Sequence, residues 1–205
     1  MSDSKNYTQD WFDRCIPVWK KYLSEFYDKP NLKFLEIGSY EGRSTCWLLD
    51  NILTAEGSTI HCFDLFEGCA AQGVWSEELY NRYDMSGVLV NFLNNTDVYG
   101  NKVKLHIGVS QRLLRGLGGD AEYDFVYVDG SHIASDVLED TVLAFRLLKS
   151  GGIMILDDYT WEFFDSPLRH PKLGIDAFLS VYECQYEILH KDQQIILRKT
   201  GVKEG

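Results

Sequence analysis

Apolar residues along this chain fall into two alternating patterns. Short continuous runs, four to six residues long and closed by turn residues, alternate with longer segments in which apolar positions recur every three or four residues. The first pattern is that of a strand buried on both faces and the second that of an amphipathic helix. Leu32, Phe34, Leu35 and Ile37 form the first run; Arg43 to Leu53 carries the first helical pattern that follows it. Strands are predicted at Ser58 to Asp64, Lys102 to Ile107, Glu122 to Val128 and Gly151 to Leu156, and helices near Met85 to Leu93, Ser110 to Leu117, Ile133 to Leu148 and residues 172 to 183. Tyr186 to His190 and Gln193 to Arg198 flank Lys191-Asp192 and read as an antiparallel hairpin. Ahead of the first strand, Trp11, Phe12, Cys15, Ile16, Trp19, Tyr22, Leu23 and Phe26 keep helical spacing, with Pro17 bending or dividing the segment. Five strands alternating with helices predict a mostly parallel sheet covered on both sides, closed by the hairpin.

The turn after the first run defines the chemistry. Gly38 and Gly42 punctuate it, at the carboxyl end of a strand where open α/β sheets place their ligands. A dinucleotide loop would show GxGxxG, so that backbone amides could approach a pyrophosphate. Here the glycines are four apart, with Glu36 before them and Glu41 between them. Two carboxylates repel a pyrophosphate and suit a nucleoside with a cationic, amino-bearing end, which describes S-adenosylmethionine. Asp64 ends the second strand, 22 residues after Gly42, where a nucleotide fold places an acid on the ribose hydroxyls; a helix cap is the other use of such a residue.

Glu36, Gly38 and Gly42 satisfy the first motif, E/D-x-G-x-x-x-G, of class I S-adenosylmethionine-dependent methyltransferases, and the chain resembles that family from about Leu32 to Lys199. The resemblance implies a Rossmann-like, doubly wound seven-stranded α/β sheet, with Glu36, Gly38, Ser39, Gly42, Asp64, Gly108, Ser110 and Asp129 on the cofactor side. Gly108, Val109 and Ser110 would lie beside the adenine, although Ser110 reads equally well as an N-cap.

Asp129 ends the fourth strand, and Asp157 and Asp158 end the fifth, 28 and 29 residues later. Three carboxylates on neighbouring strand ends repel one another unless a cation neutralises them, and hard oxygen donors of this kind suit Mg²⁺. VDGSH (128–132), GGIMILDDY (151–159) and Pro171-Lys172-Leu173-Gly174-Ile175 are similar to the macrocin O-methyltransferase-like group, which is metal-dependent and modifies sugars. That resemblance implies Asp129, Asp157 and Asp158 as metal ligands. It departs at Ser131, where related sugar methyltransferases can carry Asp as a candidate base, and this leaves the base open. His132, at the helix entrance with an imidazole that titrates near neutrality, is the first candidate; a packing or hydrogen-bonding role is the alternative. Tyr159, next to the metal pair, is a minor candidate for the acceptor site.

Composition narrows the partners. With 45% hydrophobic and 14% aromatic residues, 205 residues support one domain with a full core. The expected organisation is residues 1–205 as one unit, with 1–31 as a helical extension and 66–100, rich in Trp75, Tyr80, Tyr83, Phe92 and Tyr99, as a substrate-side insertion; its aromatics form either an acceptor pocket or core. A net charge of −11 opposes binding to nucleic acid. Five scattered cysteines without a CxxC pair read as reduced thiols of a cytoplasmic protein, and no run suggests a signal peptide or membrane span. A small-molecule acceptor, a sugar among the options, and a homodimer are expected. The competing readings are methylation without metal, an NAD-dependent oxidoreductase or epimerase, and a non-catalytic Rossmann-like binding protein.

Overall fold

The computed structural model describes residues 5–67, 85–118, 122–162 and 165–201. Its centre is a seven-stranded sheet in the order β3-β2-β1-β4-β5-β7-β6, with β1 Lys33–Ile37, β2 Thr59–Asp64, β3 Val103–Ile107, β4 Tyr123–Val128, β5 Leu148–Leu156, β6 Tyr186–Lys191 and β7 Ile195–Lys199. β1 to β5 run parallel; β7 is antiparallel to β5, and β6 to β7. The α/β sheet expected from the apolar runs, with its C-terminal hairpin, is therefore the one observed.

Side chains on a strand alternate between faces, so the sheet divides its core in two. Phe34, Phe125, Tyr127, Ile153, Ile155 and Ile196 face one layer, where α2 (Arg43–Asn51), α3 (Val88–Thr96) and the N-terminal segment pack. Leu35, Ile37, Val126, Val128, Met154, Leu156 and Leu197 face the other, under α5 (Ala134–Leu147) and α6 (Pro171–Val181). α4 (Ser110–Arg115) adds Leu114 to that second layer.

The N-terminal segment departs from the single helix that its spacing suggests. It is a 3-10 turn at Asp13–Cys15, a short α1 at Ile16–Tyr22 and a second 3-10 turn at Ser24–Phe26. Pro17 lies in the first turn of α1, where its missing N–H costs nothing, so it starts the helix instead of bending one. Trp19 is fully buried and meets Phe12, Trp47, Phe125 and Tyr127 at ring centroid distances of 4.8 to 5.9 Å. The segment thus covers one sheet face, as expected. In the aromatic-rich stretch, Phe92 is core, and Met85 and Tyr99 pack against it; Trp75, Tyr80 and Tyr83 lie outside the described residues.

Candidate active site

The loop after β1 is shaped by close backbone approach. Gly38 has φ +82°, and a Cβ there would fall 1.9 Å from the carbonyl oxygen of Asp129. Only glycine lets the end of β1 pass so near the end of β4. Ladder bonds continue past the strand ends: Gly38 N–H donates to Phe63 O at 2.8 Å, Asp129 N–H to Ile37 O at 2.8 Å and Asp157 N–H to Val128 O at 3.0 Å. The glycine loop and the acidic strand ends are consequently one continuous edge.

Glu36 shares the face of Phe34 and is therefore driven under the start of α2. Its carboxyl accepts from Ser39 Oγ at 2.7 Å, Ser44 Oγ at 2.6 Å, the Thr45 hydroxyl and Cys62 Sγ at 3.6 Å. Burial pushes its pKa up, and those donors oppose the shift. Glu36 is 0% exposed, so it shapes the loop from below. Asp64 likewise faces the loop: Oδ2 accepts from the N–H groups of Ser39 and Tyr40 at 2.7 and 2.8 Å, and Oδ1 from Phe66 N–H at 2.6 Å. Burial raises its pKa against the pull of those amides. Glu41 fastens the N-terminal segment and α3 to the loop, accepting from Thr8 N–H at 2.6 Å, Thr8 Oγ1 at 3.0 Å and Asn91 Nδ2 at 2.7 Å. Gly42, at φ +79°, opens α2.

On the third loop, Gly108 N–H donates to Asp64 O at 3.0 Å, which ties the two cofactor-side loops together. Ser110 is the first residue of α4, and the N-cap position falls to Val109, without a side-chain cap bond. The capping expectation for Ser110 therefore fails. Its hydroxyl has a stronger acceptor, Asp140 Oδ1 at 2.7 Å, on the neighbouring α5. Asp140 is itself a residue that the sequence reading passed over. It is 1% exposed, its Oδ2 has no hydrogen-bond partner, and burial pushes its pKa up to about 7. The available signal was its place between Val137, Thr141 and Ala144 on the buried face of a helix.

The acidic edge brings Asp129, His132, Asp157 and Asp158 together. His132 Nε2 lies 2.8 Å from Asp158 Oδ2, and one donor atom each from Asp129, His132 and Asp158 falls within 4.8 Å of the others. Asp158 has φ +58°, a left-handed conformation that Asp tolerates better than most residues, and its carboxylate meets His132. Asp157 points inward. Its Oδ1 accepts from Asp158 N–H at 2.7 Å; its Oδ2 accepts from Gln194 Nε2 at 2.8 Å and also meets the Tyr127 hydroxyl. Tyr127 reaches Asp129 Oδ2 as well, at 2.8 Å. Burial and then the charges of Asp157 and Asp158 push Asp129 well above the usual carboxylate range, and burial with Asp158 raises Asp157. Burial also raises Asp158, but the neighbouring His132 with its hydrogen bond, and Arg14, outweigh it and leave that carboxyl low.

A carboxyl cluster at this charge density is what a divalent cation neutralises, and the oxygen-plus-imidazole donors of Asp129, Asp158 and His132 are chemically suited to one. Trp161 stacks obliquely on His132, with centroids 4.8 Å apart, and forms one wall. Tyr159 is buried and bonded to Asp176 Oδ1 at 2.8 Å and Lys172 Nζ at 2.9 Å, which commits its hydroxyl to α6. His61 and His106 lie on β2 and β3 with ring nitrogens 3.1 Å apart, and burial followed by the charge of His106 pushes His61 down to about 4.

A family model described as a methyltransferase domain matches residues 35–159, well over half of the chain and from β1 to Tyr159. The chain belongs to this methyltransferase family. It is an enzyme of that class, as the Glu36-Gly38-Gly42 motif led us to expect, and the match displaces the oxidoreductase and non-catalytic readings. No curated protein matches the chain. Among solved structures, the MycE methyltransferase from the mycinamycin biosynthetic pathway, in complex with Mg, SAH and mycinamycin VI, superposes with a TM-score of 0.60 at 14% identity. The alignment covers 98% of this chain and 52% of MycE, so the chain spans about half of that relative's length. The O-methyltransferase TomG from Streptomyces achromogenes, in complex with SAM, gives a TM-score of 0.55 at 17% identity over 82% of this chain and 73% of its own. NovP, also an O-methyltransferase, gives 0.60 at 18% over 82% and 72%. At these identities the likeness is one of fold. Among the described residues, no helix is long and apolar enough to cross a membrane.

Proposed function

We propose that this methyltransferase transfers a methyl group from S-adenosylmethionine to a hydroxyl oxygen of a small molecule, with a divalent cation, Mg²⁺ foremost, at the acidic edge. One observation carries the reading: the carboxylates of Asp129 and Asp158 converge beside the Gly38 loop, with a ring nitrogen of His132 within 4.8 Å of both. MycE with Mg and SAH, on the same fold, supports it.

The glycine loop and the Gly108 loop would seat the cofactor, with Glu36 and Asp64 fixing the backbone that meets it. Asp129 and Asp158 would hold the cation, whose chemistry when bound is to lower the pKa of a coordinated hydroxyl and orient it. Asp157 supports them from beneath. His132 takes the acceptor's proton. Its 2.8 Å contact with Asp158 places a proton on Nε2, because two lone pairs do not approach that closely. The acceptor's proton would therefore go to Nδ1, the other ring nitrogen, with the Asp158 carboxylate on the Nε2 side stabilising the imidazolium. In the transfer, the hydroxyl oxygen forms the new C–O bond, the methyl–sulfur bond breaks, and its electron pair stays on the departing neutral thioether. Alignment of oxygen, carbon and sulfur is the main protein contribution.

A sugar hydroxyl is the substrate class that the motif resemblance favours. A second reading, methylation without metal, rests on the same His132–Asp158 pair, which accepts a proton unaided. Calorimetric titration of S-adenosylmethionine with Mg²⁺ and after chelation, followed by turnover on hydroxylated sugars, tests both. Cofactor binding with chelator-sensitive turnover supports the metal-assisted reading. Chelator-insensitive turnover selects the second, and absence of cofactor binding refutes both.

A further inference from the structure

Beneath the acidic edge runs a buried hydrogen-bonded chain that the mechanism above does not use. Trp19 Nε1 donates to Gln194 Oε1 at 2.9 Å, Gln194 Nε2 donates to Asp157 Oδ2 at 2.8 Å, and the Tyr127 hydroxyl lies between Asp157 Oδ2 and Asp129 Oδ2. All four inner members are buried: Trp19 at 0% exposure, Tyr127 at 2%, Gln194 at 4% and Asp157 at 8%. The groups are far apart in sequence: Trp19 is on α1, Tyr127 on β4, Asp157 directly after β5 and Gln194 directly before β7.

The direction of the chain is dictated by chemistry. An indole N–H can only donate, so the carbonyl end of the Gln194 amide must face Trp19 and its NH₂ must face Asp157. That NH₂ also reaches Cys15 Sγ at 3.3 Å, so both of its protons are directed. Asp157 then has Gln194, Tyr127 and the backbone N–H of Asp158 around its two oxygens, which holds the carboxylate plane at three points. Tyr127 stands two residues before Asp129 on β4, and the pleat puts both on one face. A phenylalanine would fill the same volume; the hydroxyl adds a single proton placed between two carboxylates. In an apolar layer, such a group is retained at a cost unless both acids use it.

We propose that Tyr127 and Gln194 are positioning residues for the acidic edge, which fix Asp157 and Asp129 from below and link cation binding there to the seating of Trp19 in the N-terminal segment. This rests on the cation reading above. Groups that orient metal ligands from behind typically account for tenfold or more in metal affinity. Removal of the Tyr127 hydroxyl leaves Asp129 free to turn, and removal of the Gln194 amide frees Asp157 and leaves the indole N–H of Trp19 unbonded.

The test uses the full chain, labelled with ¹⁵N. Mg²⁺ is titrated into wild type, Tyr127→Phe and Gln194→Leu by calorimetry, and the indole N–H resonance of Trp19, assigned with Trp19→Phe, is followed in parallel. S-adenosylmethionine affinity serves as the control that each variant keeps its folded glycine loop. The expected result has three parts: the Trp19 resonance moves with the same midpoint as calorimetric Mg²⁺ binding; both variants bind Mg²⁺ about tenfold more weakly; cofactor affinity stays within twofold. If wild type and both variants bind Mg²⁺ alike, or Trp19 is silent while Mg²⁺ binds, the positioning role is wrong and the cation reading stands. If wild type binds the cofactor but not Mg²⁺, both fall. A variant that loses cofactor affinity as well has lost its fold, and Tyr127→Met or Gln194→Met then replaces it in the same comparison.

Discussion

Asp140 offers the sharpest quantitative test of the folded structure. Its carboxyl is buried on α5, bonded through Oδ1 to Ser110 Oγ, with Asp136 and Glu139 as the acidic neighbours that add to the effect of burial. Burial raises its pKa from 3.8 to about 7. The folded protein therefore holds a proton on Asp140 that the unfolded chain releases near pH 4. Stability from this group is fully present below the unfolded pKa and is lost as pH rises through 7. At 1.36 kcal/mol per unit, the loss approaches about 4 kcal/mol in all, of which about 3 kcal/mol falls between pH 5 and pH 8. Asp140→Asn keeps the size and the Ser110 partner but removes the titration. Urea unfolding of both proteins at half-unit intervals from pH 5 to 8 should show the Asn variant ahead by roughly 1 kcal/mol at pH 5 and roughly 4 kcal/mol at pH 8, a widening worth roughly 6 to 12 °C in Tm. Other titrating groups cancel in the difference. A gap that does not change with pH would show that Asp140 is ionised in the folded state throughout this range and that the burial argument is wrong.

Other consequences can be measured directly. Gly38→Ala drives a methyl group into the Asp129 carbonyl at a left-handed φ, and should abolish cofactor binding by calorimetry. His132→Asn should lower kcat by about 10² to 10⁴ while leaving S-adenosylmethionine affinity intact, and should remove the rising limb of the pH–rate profile. Glu41→Ala unfastens Thr8 and Asn91 from the loop. It should destabilise the closed N-terminal segment by about 1 to 3 kcal/mol, read as faster amide exchange at Thr8 with β1 unaffected.

Much of this was legible in the sequence because the strongest physical constraints are local. A parallel strand buried on both faces must be continuously apolar, so Phe34 to Ile37 and Phe125 to Val128 announced themselves. The glycines at 38 and 42 were visible because glycine takes left-handed backbone angles most readily. Strand-end acids were visible because parallel topology puts strand ends side by side. What escaped depends on partners distant in sequence or on a single torsion. Consecutive acids give no sign that Asp157 turns inward to Gln194, 37 residues away, while Asp158, at a left-handed φ, meets His132. Glu36 and Asp64 were visible as acids of the cofactor side, but not the donors that satisfy them from within the loop. The division of residues 13–26 into a short helix between two 3-10 turns goes with the seating of Trp19 against Phe125 and Tyr127, which spacing alone does not encode.

The contact between Trp19 and Gln194 spans 175 residues. During synthesis, the N-terminal segment leaves the ribosome well before Gln194, its polar partner in the turn ahead of β7. Closure of so long a loop is slow, and contacts of this separation come late in folding. The sheet from β1 to β5 can assemble around its own apolar runs before then, but Asp157 acquires its full set of donors only when Gln194 has docked. A nascent chain therefore builds the cofactor-side loop first and the acidic edge last. A partly made enzyme would hold its methyl donor without yet having the geometry to spend it.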